Sequence, residues 1–199
     1  MDVSTLRRTG EDCTGFLLAH ADTDWTTCAP DMTWNSAEVV AHLANTLFWY
    51  AHDFAAGAVE LPTTEITVRS AAVPTAQLVR SVSAGVSLLA AVLTQGGPEA
   101  RGWHPRGVAD DSGFAAMACD ELLVHTADVA RAIGAPFTPA RELAEETLRR
   151  LFPWAHSGED PWRTLLWANG RTELPDHPRL VKWTWHCAPL SEWDGSSPV

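Results

Sequence analysis

The sequence predicts an all-α fold: a four-helix bundle with a long crossover, plus short C-terminal helices and a tryptophan-rich tail. Three observations carry this. Apolar residues recur at three- and four-residue spacing in four long segments. Those segments are bounded by capping residues, glycines and prolines. The chain has 199 residues, 46% hydrophobic and 20% charged, enough to bury a sizeable core and too apolar for wholesale disorder.

Taken in order, residues 3–21 read as the first helix, with Leu6, Phe16, Leu17 and Leu18 as its core face. Asp22 to Thr33 shows little periodicity and reads as a loop. The second helix starts at Asn35, whose spacing to Glu38 fits a capping box. It runs through Val39, His42, Leu43, Thr46, Leu47, Trp49, Tyr50 and Phe54 and stops near Gly57. Residues 58–73 hold Pro62 and a β-branched run from Thr63 to Val68, which gives a long crossover with at most a short extended piece.

The third helix spans about 75–95, on Leu78, Val79, Val82, Val86, Leu89, Ala90 and Leu93, and Gly96-Gly97-Pro98 ends it. A loop over 98–111 contains Trp103-His104-Pro105. In the fourth helix, Ser112 is the nearest strong N-cap. Phe114, Met117, Ala118, Leu122, Val129 and Ile133 mark its apolar face, and Gly134 its stop. Thr138-Pro139 opens a fifth helix to about 152, and Asp160-Pro161 a sixth that ends at Gly170. The alternation Lys182-Trp183-Thr184-Trp185-His186 suggests a short strand. The division expected is a metal-binding bundle over 1–155 and an extension over 156–199 packed on it.

Charge and composition narrow the function. The net charge is −11, which argues against nucleic acid as the main partner, because phosphate binding needs a basic footprint. The apolar runs are too short for an expected membrane span, and Met1 to Gly15 has no signal-peptide core. A cytoplasmic location is therefore expected. Cys13, Cys28, Cys119 and Cys187 are scattered, with no CxxC pair, and read as reduced packing thiols. Six of the ten tryptophans (Trp154, Trp162, Trp167, Trp183, Trp185 and Trp193) crowd the last quarter, as core, lid or a homodimer face. There is no nucleophile elbow, no Walker loop and no dinucleotide fingerprint.

The chemistry concentrates on Asp120 to Asp128. Glu121 and His125 are four residues apart and share one face of the fourth helix, the face that also carries Phe114, Met117 and Ala118. A carboxylate and an imidazole on an inward stripe need a partner, because an unpaired buried charge is costly. His42, on the inward stripe of the second helix, completes a set of two histidines and one carboxylate. Such a set leaves positions open on zinc, as catalytic sites do, and can also hold ferrous iron. The bland alternative is a surface ion pair of Glu121 with His125. A dinuclear alternative would add Glu38. Asp128 could orient a ligand or pair with Arg131, and Glu38 stands as the other outer partner. His20 and His52 fall near helix ends as solvent-facing or capping residues. His104, His156, His177 and His186 lie in loops or the tail, where one could line a cleft.

Two stretches resemble a known family. Trp34-Asn35-Ser36-Ala37-Glu38-Val39-Val40-Ala41-His42-Leu43 is similar to the second-helix motif of the DinB-like superfamily. Asp120-Glu121-Leu122-Leu123-Val124-His125-Thr126-Ala127-Asp128, continuing to Gly134, is similar to its downstream metal-binding helix. The closest branch is the N-terminal domain of mycothiol-dependent maleylpyruvate isomerase, over roughly residues 1–155. The stretch from Trp162 to Arg171 also resembles uncharacterised relatives. The resemblance implies a divalent metal on His42, Glu121 and His125, most often zinc, with Ni2+ or Fe2+ as alternatives. It implies a mycothiol-like low-molecular-weight thiol as cosubstrate, activated as thiolate for attack on a small electrophile. The isomerase has a separate C-terminal domain, whereas only about 45 residues follow the fifth helix here, too few for a usual second domain. Thiol transfer to another electrophile is thus expected over isomerisation, with a metal-binding accessory protein or a metal-dependent hydrolase as the other readings.

Overall fold

The structure, a computed structural model, describes residues 1–155 and 160–197. His156 and the expected boundary after residue 155 lie at or outside the edge of the described residues. Among these, the elements are α1 (Val3–Ala19), α2 (Ser36–Ala56), α3 (Thr75–Gln95), α4 (Asp111–Ile133), α5 (Arg141–Leu151) and α6 (Pro161–Ala168), with a 3-10 turn at Leu190–Glu192. No strand forms among the described residues. The Trp183–Trp185 alternation lies in irregular chain, and only isolated bridges occur, such as Gly102 with Ala109.

The four long helices close a ring in which α2 sits between α3 and α4, and α1 sits on their other side. The connection over 57–74 is long and irregular and joins the neighbours α2 and α3. It is tied down on α2: Asn45 Oδ1 accepts from the Val68 N–H at 3.2 Å, and Thr64 Oγ1 meets His52 Nε2 at 2.9 Å. His52 also meets Asp53 at 2.9 Å, so it anchors this connection and is not the solvent-facing residue expected. Leu6, Leu17, Leu43, Leu47, Leu78, Leu89, Phe114, Met117 and Leu122 fill the centre and are fully buried. By length and composition α3 could cross a membrane. Its apolar stripe, from Leu78 to Leu93, is instead buried against α1 and α2.

Local chemistry sets the helix ends. At α2 the capping box is complete: Glu38 N–H donates to Asn35 Oδ1 and Asn35 N–H to Glu38 Oε2, each at 2.9 Å. Gly57 stops α2 with φ of 95°, a conformation that disfavours a side chain. The cap of α4 is Asp110, not Ser112. Its Oδ1 accepts from Gly113 N–H at 2.8 Å, and a carboxylate there also suits the positive helix end. α5 starts two residues after Pro139, at Arg141, with no side-chain cap. Leu18 points outward, 55% exposed, because α1 turns Leu17 and Leu6 inward.

The C-terminal segment is fastened to the bundle through polar contacts. Arg150 on α5 is buried and reaches Asp110 Oδ1 at 2.6 Å, Ser112 Oγ at 2.7 Å, and the carbonyls of His186 and Cys187 at 3.1 Å each. Gly113 lets that carbonyl of Cys187 come down on the first turn of α4, where a Cβ would collide with it. Asn169, just past α6, donates to Asp120 Oδ1 at 2.8 Å, and Trp185 Nε1 donates to Asp120 Oδ2 at 3.1 Å.

Candidate metal centre

Adjacency of α2 and α4 brings His42 opposite Glu121 and His125. Glu121 Oε2 lies 3.0 Å from His125 Nε2 and 3.8 Å from His42 Nε2. The two imidazoles stand edge to face, with centroids 5.1 Å apart. One ligand atom from each of the three residues falls within 4.8 Å of the others. Ligand atoms about 2.0–2.2 Å from one tetrahedral zinc ion stand about 3.3–3.6 Å apart, so the cluster has the size of a single-ion site.

The residues fit such an ion on chemical grounds as well. Glu121 Oε2 is buried and takes part in no hydrogen bond, although His125 Nε2 lies close by. A buried carboxylate oxygen without a well-directed hydrogen bond is costly, and a cation relieves it. Burial pushes the Glu121 carboxyl up, but His125 and His42 outweigh that and hold it below its usual range. Burial opposes charge on His125 too. Asp128 and Glu121 prevail and raise it to about 9, so two carboxylates hold a proton where a cation would be welcome. His42 moves the other way, lowered by burial and by the charge of His125.

Around the three lie residues that fix them. Asp128 Oδ2 meets His125 Nδ1 at 3.2 Å, which orients the ring with Nε2 toward Glu121. Asp128 is itself held by Arg171, with Nη2 at 3.0 Å and Nε at 3.2 Å, and Arg131 stands 3.7 Å off. Tyr50 Oη approaches Glu121 Oε1 at 3.5 Å. Glu38 is elsewhere: its carboxylate serves the Asn35 cap, and a second ion using it has no support in this arrangement.

His42 and Glu121 open onto a cleft of about 640 Å³. Trp49, Tyr50, Trp103, His104 and Trp185 wall it, and Asp53, Glu60 and Arg106 supply its other charges. His125 lies behind, its side chain 12% exposed. The aromatic tail and the 98–111 loop are the expected pocket walls, and Trp185, Trp103 and His104 supply them; sequence reasoning missed Tyr50, Asn169 and Arg171 as parts of this site. Asn45, Thr46, Trp49 and Asp53 fall with His42 on one helix face, so polar residues on an otherwise inward stripe were the available signal for the cleft. No spacing rule links Trp185, Asn169 or Arg171 to α4. His20 closes α1, its Nδ1 2.9 Å from the Phe16 carbonyl. His186 Nε2 lies 3.1 Å from the Pro189 carbonyl, and His177 stacks near Trp167, so both belong to the tail.

The thiols of Cys13 and Cys119 are buried, and burial pushes each to about 12. Cys187 is buried and raised as well. These are packing residues, and none of them lines the cleft.

A helical bundle that gathers two imidazoles and a carboxylate from facing helices, a set that could hold a metal ion, defines a class, the DinB-like helical bundles. Within it, the chain belongs to the mycothiol maleylpyruvate isomerase N-terminal domain family, whose sequence profile matches residues 6–130. No curated protein and no solved structure matches the chain.

Proposed function

We propose that the protein is a divalent-metal-dependent thiol transferase. In this reading it activates a low-molecular-weight, mycothiol-like thiol for attack on a small electrophile. One observation carries the reading: two members of the three-ligand cluster, His42 and Glu121, open onto an aromatic-walled cleft large enough for a thiol and a second small molecule. His42, Glu121 and His125 would hold the ion, and zinc is the first choice for two imidazoles and one carboxylate. When bound, a divalent cation supplies the positive charge that favours thiolate over thiol at neutral pH.

The chain's own residues do the rest. Asp128 and Arg171 keep the His125 ring from turning. Tyr50 and the aromatic walls exclude water from one side of Glu121, which strengthens every charge interaction there. Membership of a mycothiol-related family supports the choice of thiol. Metal analysis of the purified protein, followed by thiol consumption against a panel of electrophiles, tests the proposal. About one ion per chain and metal-dependent thiol loss are expected. Metal retained in both His42→Ala and Glu121→Ala would overturn the site. A metal-loaded protein that leaves thiols untouched and hydrolyses amides would overturn the reaction.

A further inference from the structure

A second cavity, of about 280 Å³, lies beside the metal cleft, with Trp185 as a wall of both. It forms where the tail returns to the end of α5. His186 N–H donates to the Leu151 carbonyl at 2.8 Å, so Trp185 and Trp154 come to line the same space. The turn at Leu190–Glu192 then brings in Trp193, whose N–H donates to the Leu190 carbonyl at 3.2 Å. The three indoles are held in place. Trp185 Nε1 donates to Asp120 Oδ2 at 3.1 Å, and Trp193 Nε1 to the Ser196 carbonyl at 3.0 Å. Trp154 stands edge to face with Phe152 and Trp167, at centroid distances of 5.6 and 5.9 Å. Its Nε1 is buried and has no acceptor. Glu192 and Asp194 supply the charges of this cavity, and no lysine or arginine lines it among the described residues. Neither carboxylate forms an ion pair with a described residue. Ser196, through its hydroxyl and its N–H, holds the Asp194 carboxyl below its usual range.

We propose that this cavity is a binding site for a small organic cation, a quaternary ammonium that also carries an oxygen acceptor. The chemistry of the walls selects that class. The π face of an indole attracts a cation, most strongly when both are withdrawn from water. Two carboxylates with no cation of their own add to the attraction, as does a chain of net charge −11. A metal ion is a poor guest, because it asks for oxygen, nitrogen or sulfur ligands at short range and three indoles supply none. An anion meets Glu192 and Asp194. Drug-sized ligands occupy about 300–1,000 Å³, so this cavity takes a smaller guest. A quaternary ammonium has no N–H to satisfy and presents only methyl groups, which suits an apolar wall. An oxygen a few bonds away gives the Trp154 N–H the acceptor it lacks. Because the three rings are already held, little side-chain freedom is lost on binding.

The test is titration calorimetry of the full-length protein with choline at constant ionic strength. Choline should bind with a Kd of about 1 mM or tighter. Its neutral carbon isostere, with a tert-butyl group in place of trimethylammonium, has the same shape without the charge. It should bind at least about 10-fold more weakly. This comparison is made on wild-type protein and depends on no variant folding correctly. Trp193→Leu should weaken choline about 10-fold, and Trp193→Phe, which keeps a π face, by less. Glu192→Gln combined with Asp194→Asn should also weaken it. Trp49→Leu, which alters a wall of the metal cleft and none of this cavity, should leave choline binding unchanged. No saturable binding, equal binding of the neutral isostere, or loss in Trp49→Leu but not in Trp193→Leu overturns the proposal. A trimethylammonium group could arrive free or on a lipid headgroup, and phosphatidylcholine vesicles separate the two. The protein should stay in the supernatant when such vesicles are sedimented. Co-sedimentation that free choline reverses would assign the cavity to a headgroup and overturn a soluble guest.

Discussion

Arg171 holds Asp128 in a fork, with Nη2 3.0 Å and Nε 3.2 Å from the carboxylate, while that carboxylate meets His125 Nδ1 at 3.2 Å. The extension beyond the bundle thus reaches the candidate metal centre through one intermediate residue. Partners that orient a ligand histidine commonly contribute about 10–100-fold in metal affinity. Asp128→Asn is expected to weaken zinc binding by about that factor. Arg171→Met should weaken it less, because Asp128 keeps its contact with His125. Competition against a chromophoric chelator measures both. Equal affinity in Asp128→Asn and wild type would remove Asp128 from the site.

Metal should also stabilise the fold. A ligand bound only by the native state at about 100 times its Kd adds about 2.7 kcal/mol. Glu121 Oε2 is buried without a hydrogen bond, so wild-type protein should rise in Tm with zinc. Glu121→Gln and His42→Ala should show little or no rise. Differential scanning fluorimetry with and without zinc reads this directly. A full zinc shift in Glu121→Gln would show that the ion binds elsewhere.

The four thiols should divide by accessibility. Cys28 is exposed, and Cys13, Cys119 and Cys187 are buried. Burial that favours the neutral thiol also slows its reaction. One thiol per chain should react quickly with a disulfide reagent in native protein, and four after denaturation. Fast native reaction of a second thiol would contradict this core arrangement.

What could be read from the chain was whatever is local. Helical spacing in α1 to α4, the Asn35–Glu38 box and the Gly134 stop are set by residues within one or two turns of each other. So were the face shared by Glu121 and His125 and the inward stripe of α2 that supplied His42, with which the family resemblance agreed. The cap of α4 was misplaced by two residues, since Asp110 and Ser112 are both good caps and Arg150, distant in sequence, engages both side chains. The role of Trp185 and Asn169 against Asp120, and of Arg171 against Asp128, depends on where an irregular tail returns. Neither periodicity nor composition encodes that return. The tail's aromatic alternation looked like a strand because alternation is read without knowing whether a neighbouring strand exists to pair with it.

The return of the tail is anchored at Arg150. Its guanidinium is 6% exposed and serves Asp110, Ser112 and two tail carbonyls at once. Removing one partner of a buried ion pair costs about 3–5 kcal/mol, because the other charge is left uncompensated. Arg150→Met is expected to destabilise by that order in urea unfolding. It should also loosen Trp185 from the cleft wall, seen as a change in tryptophan fluorescence at native conditions. A double variant, Arg150→Met with Asp110→Asn, should recover part of the loss. A single variant as stable as wild type would mean that the tail is not held by this node.

His104 also makes a prediction about acid stability. Its unfolded value is near 6.5, and in the fold burial lowers it to about 4. Above pH 6.5 the ring is neutral in both states and contributes no pH dependence. Between 6.5 and about 4 the unfolded chain takes up a proton that the folded chain refuses, so stability falls as pH falls. Below about 4 both states are protonated and the loss stops growing. The gap bounds the loss at about 3 kcal/mol, and the partly exposed ring edge brings the expectation to about 1–3 kcal/mol. His104→Gln lacks the titrating group and should lose that much less between pH 7 and 4. Carboxylates such as Asp128, held below their usual range, weaken both proteins together on acidification and cancel in the comparison. Urea unfolding of the two proteins at pH 7, 5.5 and 4 gives the difference. Parallel curves would show that His104 ionises in the folded protein as readily as in the unfolded chain.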